Sequence, residues 1–120
     1  MNLLFIISGS IAVIKCKKIL ENLTNKNIHI DCVITKSATK IIKSKTLQKV
    51  IKGKIYNDKS EKNNKMLHIK LTRKADLIVV CPATANLIAK FSHGYANDLA
   101  STCLVASDKQ IIFMPAMNAE

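Results

Sequence analysis

The chain has 120 residues, 48% of them hydrophobic and 22% charged, a length suited to one domain with its own core. No apolar run reaches the roughly 18 to 20 residues of a bilayer span, so a soluble, cytoplasmic protein without a membrane partner is expected. The net charge of +11 does not by itself imply a nucleic-acid partner: eighteen of the nineteen basic residues are Lys, Arg73 alone offers a guanidinium fork, and Phe5, Tyr56, Phe91, Tyr95 and Phe113 form no stacking series.

The opening "MNLLFIISGSIAVIKCKK" lacks a basic region ahead of its apolar run, and Ser8, Gly9 and Ser10 interrupt it, so it reads as a strand rather than a signal peptide. Leu3 to Ile7 is the continuous apolar run of a strand buried on both faces. From Ser10 the spacing turns helical, with Ile11, Ile14, Ile19 and Leu23 on one face. Residues 28–34, "IHIDCVI", alternate as a second strand, and Thr35 to Ala38 form the turn after it.

The next stretch is lysine-dense, with a short amphipathic helix expected over Thr46 to Ile51 and an exposed loop over Asn57 to Lys65. Order resumes at Leu67 to Leu71, followed by a brief turn or helix through Ala75 and a buried strand over Leu77 to Cys81 that Pro82 ends. "ATANLIAKF" opens a helix, "SHGYAN" is a turn, Asp98 to Ala106 a second helix, and Gln110 to Met114 a last strand. The alternation predicts an α/β fold around a parallel sheet. Cys16, Cys32, Cys81 and Cys103 have no ligand spacing and read as buried free thiols, so neither a metal nor a disulfide is expected.

Ligands of open α/β sheets lie beyond the carboxyl ends of the strands. Here those ends read "SGSIA", "TKSA", "CPATAN" and "MPAMN". Gly9 permits close backbone approach, and Ser10 can cap its helix, although "SGS" also suits an ordinary turn. In "PATAN", Thr84 and Asn86 set two hydrogen-bonding groups among methyls, a surface for a planar ligand; Thr84 also fits a helix N-cap. His68 in "MLHIKL" is either a satisfied core histidine or a base titrating near neutrality.

"GSIAVIK" at 9–15, "HIKLTRKADLIVVCPATANLIAKFSHGYANDLAST" at 68–102 and "PAMN" at 115–118 resemble the flavin-dependent cysteine decarboxylase family. The resemblance implies a Rossmann-like, flavodoxin-like parallel sheet flanked by helices, with FMN as cofactor. Gly9, Ser10 and Ile11 match the first flavin-binding turn, Ser37 a position near the FMN phosphate, and Ala83, Thr84 and Asn86 the loop that contacts the flavin. His68 matches the active-site histidine, and Asn118 the asparagine that holds the substrate carboxylate.

The implied reaction is decarboxylation of 4'-phosphopantothenoyl-cysteine to 4'-phosphopantetheine in coenzyme A biosynthesis, in a homotrimer or higher oligomer with flavin sites at subunit boundaries. Departures from the family pattern are Ile14, where an aromatic is common, and Asn97, where an acidic residue usually precedes Asp98. Family members continue past "PAMN" into more sheet and helix and a flap bearing a cysteine. The expectation is therefore a truncated flavoprotein domain over residues 1–120: a non-catalytic remnant, or half of a split enzyme whose C-terminal fragment or ligase domain lies on another chain.

Overall fold

An unbroken apolar run such as Leu3 to Ile7 must find cover on both sides of a strand. In β1 (Asn2–Ile7) it does so: Leu3, Phe5 and Ile7 point into one core cluster, Leu4 and Ile6 into another. The computed structural model describes residues 1–115. β1 pairs in parallel with β2 (His29–Ile34) on one side and β4 (Leu77–Ala83) on the other, while β3 (Ile55–Tyr56) and β5 (Ile111–Pro115) extend the sheet outward. The order is β3-β2-β1-β4-β5, all parallel, in a flavodoxin-like α/β arrangement.

On one face, α1 (Val13–Asn25) supplies Val13, Cys16 and Leu20, with Leu47 from α3 (Ser44–Gln48) and Ala38 from α2 (Lys36–Thr39). On the other, α5 (Leu67–Lys74), α6 (Ala85–Ser92) and α7 (Leu99–Ala106) contribute Leu67, Leu71, Leu87, Leu99, Cys103 and Leu104. Burial of each such large side chain contributes about 1.5–3 kcal/mol. The parallel crossovers place every βα turn along the same edge of the sheet.

Five expectations need correction. The helical spacing begins three residues later than Ser10, because Ser10 and the next two residues form a turn in which the Val13 amide donates to the Ser10 carbonyl at 2.9 Å. The buried stripe is therefore Val13, Cys16 and Leu20, and Ile11 and Ile14 stand 73% and 64% exposed. Thr35 to Ala38 is more than a turn: Thr35 caps the short helix α2, its hydroxyl accepting from the Ala38 amide.

The segment expected as a loop over Asn57 to Lys65 contains α4 (Asp58–Asn63). Asn57 Oδ1 accepts from the amides of Lys59 and Ser60, the Ser60 hydroxyl accepts from the Asn57 amide, and Asp58 and Glu61 lie in the first turn. Pro82 does not end β4, which runs on to Ala83. The pairing of β4 with β5 shifts register between Val80 and Ala83, so the missing proline donor falls at an irregularity rather than in the ladder. β5 likewise takes in Pro115, and the two-residue β3 is an element the pattern did not disclose.

Candidate functional site

Three βα turns converge on one cleft of about 310 Å³, lined by Ser8, Thr35, Ser37, Thr84, Asn86 and Asp98 with the stems of Lys36, Lys40, Leu87 and Lys90. Ser8, just past β1, ties two of the turns together. Its hydroxyl donates to the Pro82 carbonyl at 2.5 Å and accepts from the Thr84 amide at 3.1 Å, which fixes the start of α6 against the end of β1. Thr84 then caps α6, its side chain accepting from the Leu87 amide.

The third turn is fixed in the same way. The Thr35 amide donates to the Ile7 carbonyl at 3.0 Å, and the Thr35 and Ser37 hydroxyls lie 3.2 Å apart. Gly9 is where these turns touch. A Cβ there would sit 2.5 Å from Ser37 Oγ and 2.8 Å from the Ser37 carbonyl carbon, so the Ser8–Ser10 turn packs directly on α2 only because residue 9 has no side chain.

The electrostatics favour an anion. Lys36, Lys40 and Lys90 line the cleft with a single carboxylate, Asp98, and Lys90 Nζ lies 3.5 Å from Asp98 Oδ2. Burial pushes the Asp98 carboxyl up, but two hydrogen bonds from Ser101 and the Lys90 charge outweigh it and hold it below its ordinary value. Asp98 is also the N-cap of α7, so the acid is committed to structure as well as to Lys90.

Of the residues singled out in the sequence, Ser37, Thr84 and Asn86 line the cleft, and Gly9 packs against Ser37 without being part of the lining. Ser10 lies in the turn behind it, its hydroxyl accepting from the Ala12 amide at 3.2 Å, and Ile11 projects to solvent. The Ala83 side chain is buried in the second core cluster, which leaves its backbone to the loop. His68 sits on α5, outside the cleft lining, with Nδ1 3.2 Å from Glu61 Oε2 and its side chain 21% exposed. Asn118 lies outside the described residues.

Ser8, Thr35, Lys36, Lys40 and Lys90 were missed as site residues. Ser8 and Thr35 had a signal, since each opens a turn already singled out, whereas the lysines were indistinguishable from the many others. The cysteines are all buried and free. Cys16 donates to the Cys81 carbonyl at 3.1 Å, and its contact with Cys81 together with burial keeps it firmly a thiol. Burial pushes Cys103 up to about 12, so it stays protonated at neutral pH.

The hydroxyl-rich cleft lies at the carboxyl edge of a parallel α/β sheet, where open sheets of this class bind their ligands. The chain belongs to the flavoprotein family, whose profile matches residues 1–120. It is 36% identical over 118 residues to the coenzyme A biosynthesis bifunctional protein CoaBC of Vibrio parahaemolyticus, covering 95% of this chain and 29% of that protein. It is 31% identical over 122 residues to a probable phosphopantothenoylcysteine decarboxylase of Streptococcus mutans, covering 98% of this chain and 68% of the relative. Among solved structures, a phosphopantothenoylcysteine (PPC) decarboxylase mutant complexed with pantothenoylaminoethenethiol superposes with a TM-score of 0.86 at 31% identity, covering 98% of this chain and 67% of that one. The chain thus spans under a third of the bifunctional relatives it matches.

Proposed function

We propose that the chain is the FMN-binding part of a decarboxylase that converts 4'-phosphopantothenoyl-cysteine to 4'-phosphopantetheine. The observation that carries this reading is the convergence of Ser37, Thr84 and Asn86 on one lysine-lined cleft at the carboxyl edge of the sheet, with Gly9 packed directly against Ser37. The residues fit FMN in chemistry: hydroxyls and ammonium groups for the phosphate, and the Thr84–Asn86 loop for the edge of a planar ring system. FMN, when bound, supplies the redox chemistry that makes loss of the carboxylate feasible. Gly9, Ser10 and Ile11 form the turn beside it, and the Ala83 backbone completes the opposite loop.

His68 is the proposed base or proton relay. With Glu61 beside Nδ1, the tautomer that carries its proton on Nδ1 is favoured, which leaves Nε2 as the acceptor a base needs. Asn118 is proposed to hold the substrate carboxylate. His68 does not line the cleft described above, and a homotrimer or higher oligomer that brings one copy's His68 to another's cleft is proposed to complete the site. The ligase activity implied by the name of the bifunctional relatives is proposed to reside outside residues 1–120.

The test is retention of FMN. The purified chain, incubated with FMN and passed through gel filtration, is expected to elute with flavin absorbance, and Gly9→Ala to lose it while remaining folded, since the new methyl displaces Ser37. A colourless wild-type protein with native far-UV dichroism overturns the cofactor assignment. If flavin is retained, absence of carbon dioxide release from 4'-phosphopantothenoyl-cysteine favours a non-catalytic flavoprotein or a split enzyme that needs a further segment.

A further inference from the structure

We propose that the cavity between α2 and α4 takes the phosphate monoester at the far end of the substrate, an assignment that rests on the decarboxylase reading above. The cavity measures about 450 Å³ and is lined by Lys36, Thr39, Asn57, Asp58, Lys59 and Lys62. Lys36 also lines the cofactor cleft, so the two spaces adjoin at that residue. The substrate carries its reacting cysteine and its phosphate at opposite ends of a flexible arm. A site for it therefore requires two connected regions, the outer one matched to a dianion.

The lining meets that requirement. Three lysines, Lys36, Lys59 and Lys62, line the cavity beside one carboxylate, and Asp58 Oδ1 is engaged by the Leu99 amide at 3.1 Å. Asn57 turns its carbonyl oxygen to the amides of Lys59 and Ser60, leaving its amide nitrogen as a donor. A second observation is independent of charge. Among the described side chains, α4 contributes nothing to either core cluster, yet it is ordered by a capping box, by the Asp58 contact to α7 and by the Glu61 contact to His68. A helix without a core role that forms one wall of a cationic cavity is best accounted for by what the cavity holds.

The test is equilibrium binding of 4'-phosphopantetheine and of pantetheine to the full chain incubated with FMN, compared with the K59Q/K62Q variant. Lys36 is left unchanged because it also borders the cofactor cleft, and both substituted side chains are exposed, so an unaltered thermal midpoint is expected. The wild type should prefer the phosphorylated ligand by about tenfold or more, as charge-assisted contacts allow. The variant should fall to a preference of about threefold or less, with pantetheine affinity unchanged.

A phosphate preference that survives in K59Q/K62Q overturns the assignment while leaving the decarboxylase reading intact. If neither compound binds, the decarboxylase reading fails and inorganic phosphate decides the cavity: amide shifts over residues 57–62 that vanish in the variant uphold an anion site there, and their absence from the wild type overturns it.

Discussion

α7 and α4 meet at the hydrogen bond from the Leu99 amide to Asp58 Oδ1, and they are held in place by opposite means. Both begin with the same device. Asp98 accepts from the Ser101 amide at 2.8 Å while Ser101 Oγ accepts from the Asp98 amide, and Asn57 and Ser60 repeat the exchange for α4. Beyond the cap they diverge. α7 buries Leu99, Ala100, Ser101, Cys103 and Leu104, whereas the described side chains of α4 are half-buried or exposed. The cap fixes where a helix starts; burial decides how much of the domain depends on it.

The largest effect should come from the buried helix. Leu99 is 1% exposed, and Leu99→Ala is expected to destabilise the domain by about 2–5 kcal/mol, the range for a leucine truncated in a packed core. Urea unfolding of the two proteins measures it. A loss below about 1 kcal/mol would mean that α7 is not part of the cooperative core, and the contrast with α4 would collapse.

The α7 cap comes next. Asp98→Ala should cost about 1–2 kcal/mol at neutral pH through the lost cap and the lost partner of Lys90. Its carboxyl is held below its ordinary value in the folded protein, so the ionised form stabilises the fold at pH values above the unfolded carboxylate range near about 3.9. That contribution disappears as pH falls through the lower, folded value. The wild type and Asp98→Ala should therefore converge in stability on acidification from about pH 6 to below about pH 3; a gap that widens would reverse the assigned direction.

The same contrast explains which parts of the fold were readable from sequence. β1, β2, β4 and α7 were legible because burial writes itself into residue type: Leu3 to Ile7 admits only a covered strand, and Asp98 followed by an apolar helix admits few alternatives. α4 was not, because its sequence, DKSEKN, has no apolar face to mark a helix, and its contact with α7 joins Asp58 to Leu99, far apart in the chain. β3 is too short to carry a pattern and exists because Ile55 and Tyr56 find Cys32 and Val33.

The cleft divides along similar lines. Gly9, Ser37, Thr84 and Asn86 stood out because small and hydroxyl residues cluster at strand ends. Lys36, Lys40 and Lys90 were masked by a composition in which lysine is everywhere. Ile11 and Ile14 misled for a physical reason. The helical spacing that puts Ile11, Ile14, Ile19 and Leu23 on one face runs from Ser10, but the turn at Ser10 delays the helix to Val13, and Val13, Cys16 and Leu20 take the buried places.

The smallest effect should be at α4, and there the place of the effect matters more than its size. Asn57→Ala removes the same kind of cap as Asp98→Ala, yet the global unfolding free energy should fall by about 0.5 kcal/mol or less, because no core contact depends on α4. Hydrogen exchange is the discriminating measurement. Amides of residues 58–63 should exchange at least about tenfold faster in the variant, while those of β1 and α7 keep the protection set by global unfolding. Parallel loss of protection in α4 and α7 would instead mean that the Asp58–Leu99 hydrogen bond couples the two helices into one cooperative unit. In that case the polar contacts of α4 carry as much of the fold as the apolar contacts of α7.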